Sequence, residues 1–303
     1  MRYFKLKRFL DCNSIEYYQK VDLYKYNSLK INAISKLFIV VKSIDKLRTL
    51  LTFLNEKNIN YFVLGNGTNV LFVDKVIKQV IIKYDPPSKI IINHSFLLVE
   101  SNMKNYVLSS YLCKNGYSDL EFLSVIPGSV GGGIVLNSSY DNHSFSDNLL
   151  YVECVDKKGN IHWIDAKKIN FRYRGSSLKD EGVIITKAIF KLDKKDPLKI
   201  KETIDSYRKH KNAIQPLEYP NCGSIFKNQE LKAYEYINGV GLKGYRHKGA
   251  MISSKHSNFI INFNNAKGKD VLFIIEKAKK KVYDKYKVNL ILEITLVRSK
   301  KSV

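Results

Sequence analysis

The sequence predicts an α+β protein of two domains. Short runs rich in β-branched residues, which are typical of strands, are joined by short connections and interrupted by a few helical stretches. The chain has 303 residues, roughly twice the length of an ordinary domain. Hydrophobic residues make up 45% of it and aromatic residues 12%, so it is able to bury a sizeable core, and intrinsic disorder is excluded.

One predicted helix lies among the strands of the first hundred residues. It covers residues 43–58, begins at Ser43, which is a good capping residue, and carries leucines at helical spacing. The predicted strands of this part are 37–41, 61–65, 70–73, 79–84, 89–93 and 96–100.

The rest of the chain continues this mixture. A predicted helix at 103–115 ends at Gly116, and the most glycine-rich stretch of the chain, 117–140, follows it. A polar segment at 194–197 is typical of a linker, so we place the main domain boundary near 194–200. The other predicted elements are strands at 150–156, 161–165 and 183–192, and helices at 198–211 and 271–282.

The charge balance favours a polyanionic partner. The formal net charge is +23, which fits either nucleic acid or a phosphorylated small molecule. Alternatively, the lysines are simply solvated, because positive charge is spread along the whole chain. The densest cluster, 277–287, lies on the polar side of a predicted amphipathic helix. The apolar face of that helix consists of Val271, Ile274, Ile275, Ala278 and Val282.

Several classes of protein are excluded. No apolar run approaches the 18 or more residues of a membrane span, and basic residues interrupt the N-terminal segment where a signal peptide would need an apolar core. We therefore expect a soluble, cytoplasmic protein without a membrane partner. The cysteines stand far apart, so we expect no zinc site, no other metal site and no disulfide, but free thiols that are buried or half-buried. These cysteines are Cys12, Cys113, Cys154 and Cys222.

Two glycine-rich loops predict a site for an anion. The first contains Gly65 and Gly67 after a predicted strand, and the second runs over 127–137. Successive N–H groups in such loops bind phosphates. The Rossmann pattern fails, because the first loop lacks a third glycine and leads into another strand instead of a helix. A dinucleotide held by loops and a pair of plain turns both remain possible explanations at this level.

A basic, loop-rich stretch in the last third of the chain is a second candidate site. Residues 239–262 combine four glycines with six basic residues, which indicates an anion site or else a solvated surface loop. Ser224 follows a glycine and precedes an apolar pair, so its hydroxyl could face a cavity. The basic residues are Lys243, Arg246, His247, Lys248, Lys255 and His256.

The motifs resemble those of the UDP-N-acetylenolpyruvoylglucosamine reductase (UDP-N-acetylmuramate dehydrogenase) family. Six segments match the family patterns LGxGSN, IPGTVGGAxxMNAG, YRxS, QPLxxPSxGSxF, GLKGxxxGGAxxSxxHxNFIVN and LxxE, in that order, and cover most of residues 61–296. The matching segments are 64-LGNGTN-69, 126-IPGSVGGGIVLNSS-139, 173-YRGS-176, 215-QPLEYPNCGSIF-226, 241-GLKGYRHKGAMISSKHSNFIIN-262 and 290-LILE-293.

The resemblance implies a fold, a reaction and partners. It implies a two-lobed FAD-binding domain of the vanillyl-alcohol-oxidase type at 20–194, with lobes at about 20–95 and 96–194, and an α+β substrate-binding domain at 198–298. The implied reaction is reduction of UDP-N-acetylglucosamine-enolpyruvate to UDP-N-acetylmuramate for peptidoglycan, the cell wall polymer needed for cell shape and division. FAD is the implied bound cofactor and NADPH the hydride donor. We expect no nucleic-acid partner, and no protein partner can be read from the sequence.

The resemblance also implies roles for individual residues. Arg174 and Glu293 would activate the substrate carboxylate, and Ser224 would donate a proton to C2. The implied substrate-binding residues are Tyr173, Asn228, Lys243, Lys255 and His256. The implied cofactor-binding residues are Gly65, Asn66, Gly67, Thr68, Asn69, Pro127, Gly128, Ser129, Gly131, Gly132 and Ile184.

The chain departs from the family pattern at several positions. It lacks the long insertion of the larger subtype, so it resembles the shorter one. The family's early TFxIGG is 28-SLKINA-33 here, so both glycines are absent, and that turn must be built differently. The other departures are Ile214 for lysine, Lys248 for the first of two paired glycines and Thr295 for arginine. One alternative to the implied function is a related flavin oxidoreductase with another substrate. The other is a basic nucleic-acid-binding protein, but the sequence contains no motif of that class.

Overall fold

The structure, a computed structural model, describes residues 2–299, which fold into two compact units. Unit one consists of residues 2–18, 38–65 and 80–209, and unit two of residues 19–37, 66–79 and 210–299. The units therefore alternate along the chain. The predicted domain boundaries, 20–194 and 198–298, describe domains of the family and not compact units of the structure. They stay a prediction.

Nine α-helices form within residues 2–299. Four of them, the second, third, seventh and ninth, agree with the helices predicted from the sequence, and Ser43 caps the second helix as predicted. The other five were not predicted; the fourth contains three glycines, which disfavour a helix. The helices are α1 (Arg2–Cys12), α2 (Ile44–Glu56), α3 (Asn105–Lys114), α4 (Val130–Val135), α5 (Phe145–Asn148), α6 (Ser177–Glu181), α7 (Pro197–Ile214), α8 (Ala233–Gly239) and α9 (Gly268–Tyr286).

The strands confirm the predicted α+β class. Every predicted strand is present, with ends that differ by at most a few residues, and several short strands are additional. The strands are β1 (Glu16–Asp22), β2 (Ile34–Val41), β3 (Tyr61–Val63), β4 (Val70–Phe72), β5 (Val76–Ile77), β6 (Val80–Tyr84), β7 (Ile90–Asn93), β8 (Phe96–Glu100), β9 (Ser139–Tyr140), β10 (His143–Ser144), β11 (Leu149–Val155), β12 (Ile161–Asp165), β13 (Phe171–Arg172), β14 (Gly175–Ser176), β15 (Ile184–Lys191), β16 (Asn221–Ser224), β17 (Arg246–His247), β18 (Ala250–Ile252), β19 (Phe259–Asn262) and β20 (Thr295–Val297).

Unit one contains a parallel arrangement and an antiparallel sheet. Strand β6 pairs in parallel with β2 and β3, and α2 lies between β2 and β3 in the chain. The antiparallel sheet has the order β12-β11-β15-β8-β7. Helix α4 packs against β15, where a Cβ on Gly133 would lie 2.2 Å from the ring of buried Phe145. Close packing against Phe145 therefore explains the glycine at 133.

Unit two is built on a four-stranded antiparallel sheet. Its order is β16-β19-β18-β17, and α8 and α9 pack with it around one core. The predicted apolar face of α9 is confirmed, because Val271, Ile274, Ile275, Ala278 and Val282 are all buried. Strands β4 and β20 form a separate parallel pair. This pairing places the segment that follows the first glycine loop beside residues 295–297.

The cysteines largely have the environments predicted from the sequence. All four are free thiols, and three of them are buried or half-buried as expected. Cys12 is exposed, which contradicts the expectation for that residue, because it lies at the end of the unpredicted helix α1.

Among residues 2–299, none of the helices has the length and apolar character needed to cross a membrane.

The turn between β11 and β12 is organised by one carboxylate. Asp156 Oδ1 accepts hydrogen bonds from the backbone N–H groups of Lys158 at 2.8 Å and Asn160 at 2.9 Å. Its Oδ2 lies 3.0 Å from both Asn160 Nδ2 and His162 Nε2. Burial alone would raise the pKa of Asp156, but these donors outweigh it and hold the pKa well below its ordinary value.

The turn between β17 and β18 places a lysine in a conformation that favours glycine. Lys248 has a φ of 49°, in the left-handed region that L-residues with a Cβ adopt at a cost of about 1–2 kcal/mol. Gly249 follows it, and a Cβ there would lie 2.1 Å from the carbonyl oxygen of Asn264. Only the second glycine of the family's pair is therefore sterically required in this chain.

We predict that Asp156→Ala lowers the free energy of unfolding by about 1–2 kcal/mol at pH 7, because several turn donors lose their acceptor. Since the pKa of Asp156 is lowered by folding, its contribution is present above the unfolded pKa of about 4 and is lost as the pH falls below it. Urea unfolding of both proteins at pH 7 and pH 3 measures this, with exposed Asp205→Ala as the control. An equal difference at the two pH values would contradict the prediction.

We predict that Lys248→Gly raises the free energy of unfolding by about 0.5–1 kcal/mol, because relief of left-handed strain exceeds the added freedom of the unfolded chain. Lys248→Ala is the matched control: it removes the same side chain but keeps a Cβ, so it should bring no gain. Urea unfolding compares the three proteins. A gain in the alanine variant as large as in the glycine variant would show that backbone strain is not the cause.

Candidate active site

The first glycine loop combines a tight turn with exposed backbone donors. Gly67 has a φ of 63°, and a Cβ there would lie 2.0 Å from the carbonyl oxygen of Tyr26. Its own carbonyl accepts a hydrogen bond from Ser28 N at 3.1 Å. Among the described residues, the N–H groups of Gly65, Asn66 and Gly67 have no hydrogen-bond partner. The second glycine thus serves the turn, and the neighbouring N–H groups are available to a ligand.

The second glycine loop offers fewer donors than its glycines suggest. Val130 N and Gly131 N donate to the carbonyl groups of Met103 and Ser101, each at 2.9 Å. A Cβ on Gly131 would lie 2.8 Å from the Cβ of Ser101. These glycines allow the chain to pack on residues 101–103. Fewer N–H groups of the loop are therefore available to an anion than the number of glycines suggests. In the part of the chain that the structure describes, the N–H groups of Gly128 and Ser129 have no partner.

The two loops meet within unit one. A Cβ on Gly65 would lie 3.4 Å from the Ser129 hydroxyl, and a Cβ on Gly132 would lie at the same distance from it. The hydroxyl accepts a hydrogen bond from Gly132 N at 3.4 Å and so caps α4. Unpartnered N–H groups beside such a closely packed glycine are suited to a diphosphate bound by main chain. These residues therefore fit the diphosphate of FAD.

The remaining predicted cofactor residues occupy both units. Pro127 precedes the second loop, and Ile184 is buried at the start of β15, where it pairs with Val155. Thr68 and Asn69 complete the first loop ahead of β4. Contact of these residues with a flavin stays a prediction.

The turn that lacks the family's two glycines is built by asparagines. Asn27 is buried, donates through Nδ2 to the carbonyls of Leu23 and Ile31 at 2.8 and 3.0 Å, and accepts from Ile31 N at 2.9 Å. Asn262 donates to the carbonyls of Leu29 and Lys30, each at 3.0 Å. Neither position 32 nor position 33 has left-handed backbone, so this turn does not need glycine there.

Arg174 occupies a strained turn in unit one. The turn joins β13 to β14 and consists of Tyr173 and Arg174, and Arg174 has a φ of 54°. Its Nη1 donates to the hydroxyl of Ser139 at 2.6 Å and to the carbonyl of Ser139 at 3.3 Å. The guanidinium also lies 5.3 Å from the ring centroid of half-exposed Tyr173. Strained backbone of this kind is concentrated at functional sites.

Unit two brings three of the predicted site segments together at Glu293. The N–H group of Glu293 donates to Ile225 O at 2.9 Å, next to Ser224. Its carbonyl accepts from the Asn69 side chain at 3.2 Å, and Thr295 N donates to Asn69 O at 2.9 Å. The first glycine loop, the serine segment and the glutamate are thus joined by main-chain hydrogen bonds.

Asn258 is a structural residue of the site that sequence reasoning missed. It is buried, and its side chain accepts from Phe226 N at 2.9 Å and donates to Phe226 O at 2.8 Å. Its own carbonyl accepts from Ile225 N at 2.8 Å. Asn258 therefore fixes the two residues that follow Ser224. The available signal was an amide residue immediately before the apolar run of β19.

The predicted substrate-binding residues of unit two have several environments. Asn228 accepts a hydrogen bond from Ala233 N at 3.0 Å at the start of α8. Lys255 Nζ donates to Asn212 O at 2.6 Å, and Lys243 is exposed. The cations of the predicted anion stretch therefore engage different elements of unit two.

His256 is not a cation of that stretch at neutral pH. Burial lowers the pKa of its imidazole from the ordinary value, so the ring is neutral at pH 7. Asn258 N donates to its Nδ1 at 3.3 Å, which places the ring proton on Nε2. A substrate-binding role for His256 stays a prediction, as a hydrogen-bond donor.

Comparison with known proteins is consistent with this site. The FAD binding domain matches residues 35–165, and the C-terminal domain of UDP-N-acetylenolpyruvoylglucosamine reductase matches residues 215–297. A UDP-N-acetylenolpyruvoylglucosamine reductase of Carboxydothermus hydrogenoformans is 36% identical over 277 residues, covering 91% of this chain and 92% of that protein. One of Clostridium novyi is 33% identical, covering 97% and 95%.

The solved structures agree with the sequence relatives. The crystal structure of UDP-N-acetylenolpyruvylglucosamine reductase from Thermus caldophilus aligns with a TM-score of 0.79 and 27% identity, covering 94% of this chain and 99% of that one. This likeness and the FAD-binding match confirm the predicted fold class. Identity of about a third over nearly the whole length of the relatives leaves one conclusion: the chain belongs to the UDP-N-acetylenolpyruvoylglucosamine reductase family.

Proposed function

We propose that this chain reduces the enolpyruvyl group of UDP-N-acetylglucosamine-enolpyruvate, with NADPH as hydride donor and FAD as bound cofactor. The product is UDP-N-acetylmuramate, a peptidoglycan precursor, and the reaction takes place in the cytoplasm. One observation carries the proposal within the molecule: Asn69 of the first glycine loop and Ile225 beside Ser224 both bond the main chain of Glu293. A cofactor loop, a proton donor and a carboxylate are thereby held at one place in unit two.

The residues that would hold the cofactor offer main-chain donors. Within unit one, the N–H groups of Gly65, Gly128 and Ser129, which have no partner among the described residues, are suited to its diphosphate. FAD, when bound, would supply the hydride chemistry at C3 of the enolpyruvyl group, with NADPH as the source of the hydride. The side chains of the protein would bind the substrate, stabilise the developing charge and hold the proton for C2.

The side chains stabilise charge at the substrate. As hydride adds to C3, negative charge develops on C2 and on the carboxylate attached to it. The planar guanidinium of Arg174 is suited to bind that carboxylate through two parallel hydrogen bonds, which a lysine cannot do. The family resemblance gives Glu293 a share in activating the same carboxylate. A preorganised cation at the developing charge lowers the barrier more than one that must reorient.

Ser224 supplies the proton. It ends β16 after Gly223, whose φ is 79°. Its O–H bond breaks as the new C2–H bond forms, and solvent returns a proton to the oxygen. A serine is a weak acid, but carbanionic C2 is a strong base, so the transfer is downhill. The hydrogen bonds between Asn258 and the two residues that follow Ser224 fix the backbone next to it.

The uridine diphosphate part of the substrate would be bound by polar side chains. Lysines are suited to its phosphates, and a neutral imidazole can act as a donor. The proposed residues are Tyr173, Asn228, Lys243, Lys255 and His256.

We expect the purified protein to show the two-band visible spectrum of an oxidised flavin. We also expect it to oxidise more than one equivalent of NADPH only when UDP-N-acetylglucosamine-enolpyruvate is present, because the sugar must reoxidise the flavin before another NADPH can react. Absorbance at the flavin bands and at the NADPH band measures both. Hydrogen peroxide formed in proportion to a different reduced compound would favour another flavin oxidoreductase, and a protein without flavin would contradict the proposal.

We predict that Ser224→Ala leaves reduction of FAD by NADPH within about twofold of wild type but slows reoxidation by the enolpyruvyl sugar by at least about 100-fold, which is the usual effect of a lost general acid. Stopped-flow absorbance separates the two half-reactions. Ser206→Ala, on the exposed side of α7, is the control and should change neither. Equal losses in both half-reactions would remove Ser224 from proton donation.

A further inference from the structure

Ser139 accepts two hydrogen bonds from the guanidinium of Arg174. The donor is Nη1 of the arginine, and the acceptors are the Ser139 hydroxyl at 2.6 Å and the Ser139 carbonyl at 3.3 Å. Hydrogen bonds from a guanidinium are charge-assisted and about twice as strong as neutral ones. Ser139 therefore holds one nitrogen of the guanidinium through both its hydroxyl and its carbonyl.

Ser139 is itself held firmly in unit one. It belongs to the hairpin of β9 and β10, where it pairs with Ser144. The preceding residue, Ser138, donates through its N–H to Gly133 O at 2.9 Å and accepts from Phe145 N at 3.2 Å. The hydroxyl is consequently positioned by α4 and by the buried ring that packs on it.

The turn that carries Arg174 is anchored to the same helix. Ser176 is fully buried, and its hydroxyl donates to the carbonyl of Val135 at 2.8 Å. The segments that carry Ser139 and Arg174 are thus both hydrogen-bonded to α4, which lies within the second glycine loop. The direction of the guanidinium is set from two sides.

The hydroxyl is a feature of this chain rather than of the motif it matches. The pattern IPGTVGGAxxMNAG ends in glycine, and the corresponding residue here is Ser139. A glycine offers Arg174 only a carbonyl, which in this structure is the longer of the two contacts.

We propose that Ser139 is a positioning residue for the reductive step. Its hydroxyl holds Nη1 of Arg174 and thereby fixes the direction in which the guanidinium meets the substrate carboxylate. The inference rests on the proposed role of Arg174 in the function above. It adds a residue that orients the arginine before substrate arrives, which reduces the ordering required on binding.

The experiment compares Ser139→Ala and Ser139→Thr with Ser138→Ala as the matched neighbour. For Ser139→Ala we expect kcat/KM for the enolpyruvyl sugar to fall about tenfold, mainly through KM, as for loss of a hydrogen bond to a charged group. Reduction of FAD by NADPH should be unchanged. Threonine, which keeps the hydroxyl, should restore most of the loss, and Ser138→Ala should have no effect.

A double-mutant cycle shows whether Ser139 acts through Arg174. In an Arg174→Gln background, Ser139→Ala should change single-turnover flavin reoxidation by less than about twofold, because the partner of the hydroxyl is already gone. An additive loss, or equal losses in both half-reactions, would overturn the proposal and leave Ser139 a purely structural role.

A readout that does not need turnover separates this proposal from the proposed function. A held guanidinium gives separate Nη signals in ¹⁵N NMR, and Ser139→Ala should merge them. If wild type shows separate signals that the variant loses, yet no substrate-dependent NADPH oxidation, the proposed function fails while the positioning stands. If the signals are the same in both proteins, the positioning proposal fails whatever the activity.

Discussion

The main chain of Glu293 is the point on which the candidate site of unit two depends. Its N–H group is bonded to the serine segment and its carbonyl to the first glycine loop. The first contact is a peptide hydrogen bond, and the second is donated by the Asn69 side chain. Because hydrogen bonds have a limited range of length and angle, the two contacts together fix the position of one segment relative to the others. The surrounding core of unit two supplies rigidity. The backbone that carries the Glu293 carboxylate is therefore held in place before substrate binds.

The glycines of the two loops do different physical work, although they look alike in the sequence. Gly67 allows a left-handed turn against Tyr26, whereas Gly131 allows close packing on Ser101. Neither function involves a ligand. Among the described residues, the N–H groups left without intramolecular partners belong to Gly67 itself and to neighbours of these two glycines. A phosphate site made in this way depends on which N–H groups remain unused and not on how many glycines are present.

Much of the fold could be predicted from the sequence, because strand and helix periods are local properties. The helix at 44–56 and the apolar face of α9 are examples, since both follow from the spacing of apolar residues. Helix α4 could not be predicted, because tertiary packing overrides the low helix propensity of its glycines. The two compact units could not be predicted either, because long-range contacts group segments that are distant in the chain. For the site, motifs indicated the residue types, but the role of Asn258 and the neutral state of His256 arise from burial and hydrogen bonds that only three-dimensional structure defines.

The alternation of the two units along the chain has a consequence for how the protein is made. Unit two needs residues 19–37 and 66–79, and also residues 210–299, which leave the ribosome much later than the first two segments. The early segments must therefore wait through the synthesis of most of unit one before their partners exist. β4 is an apolar strand, and its partner β20 lies near the C-terminus. We therefore expect chaperones that act on nascent chains to bind β4. Translation speed across residues 80–209 sets the duration of that exposure.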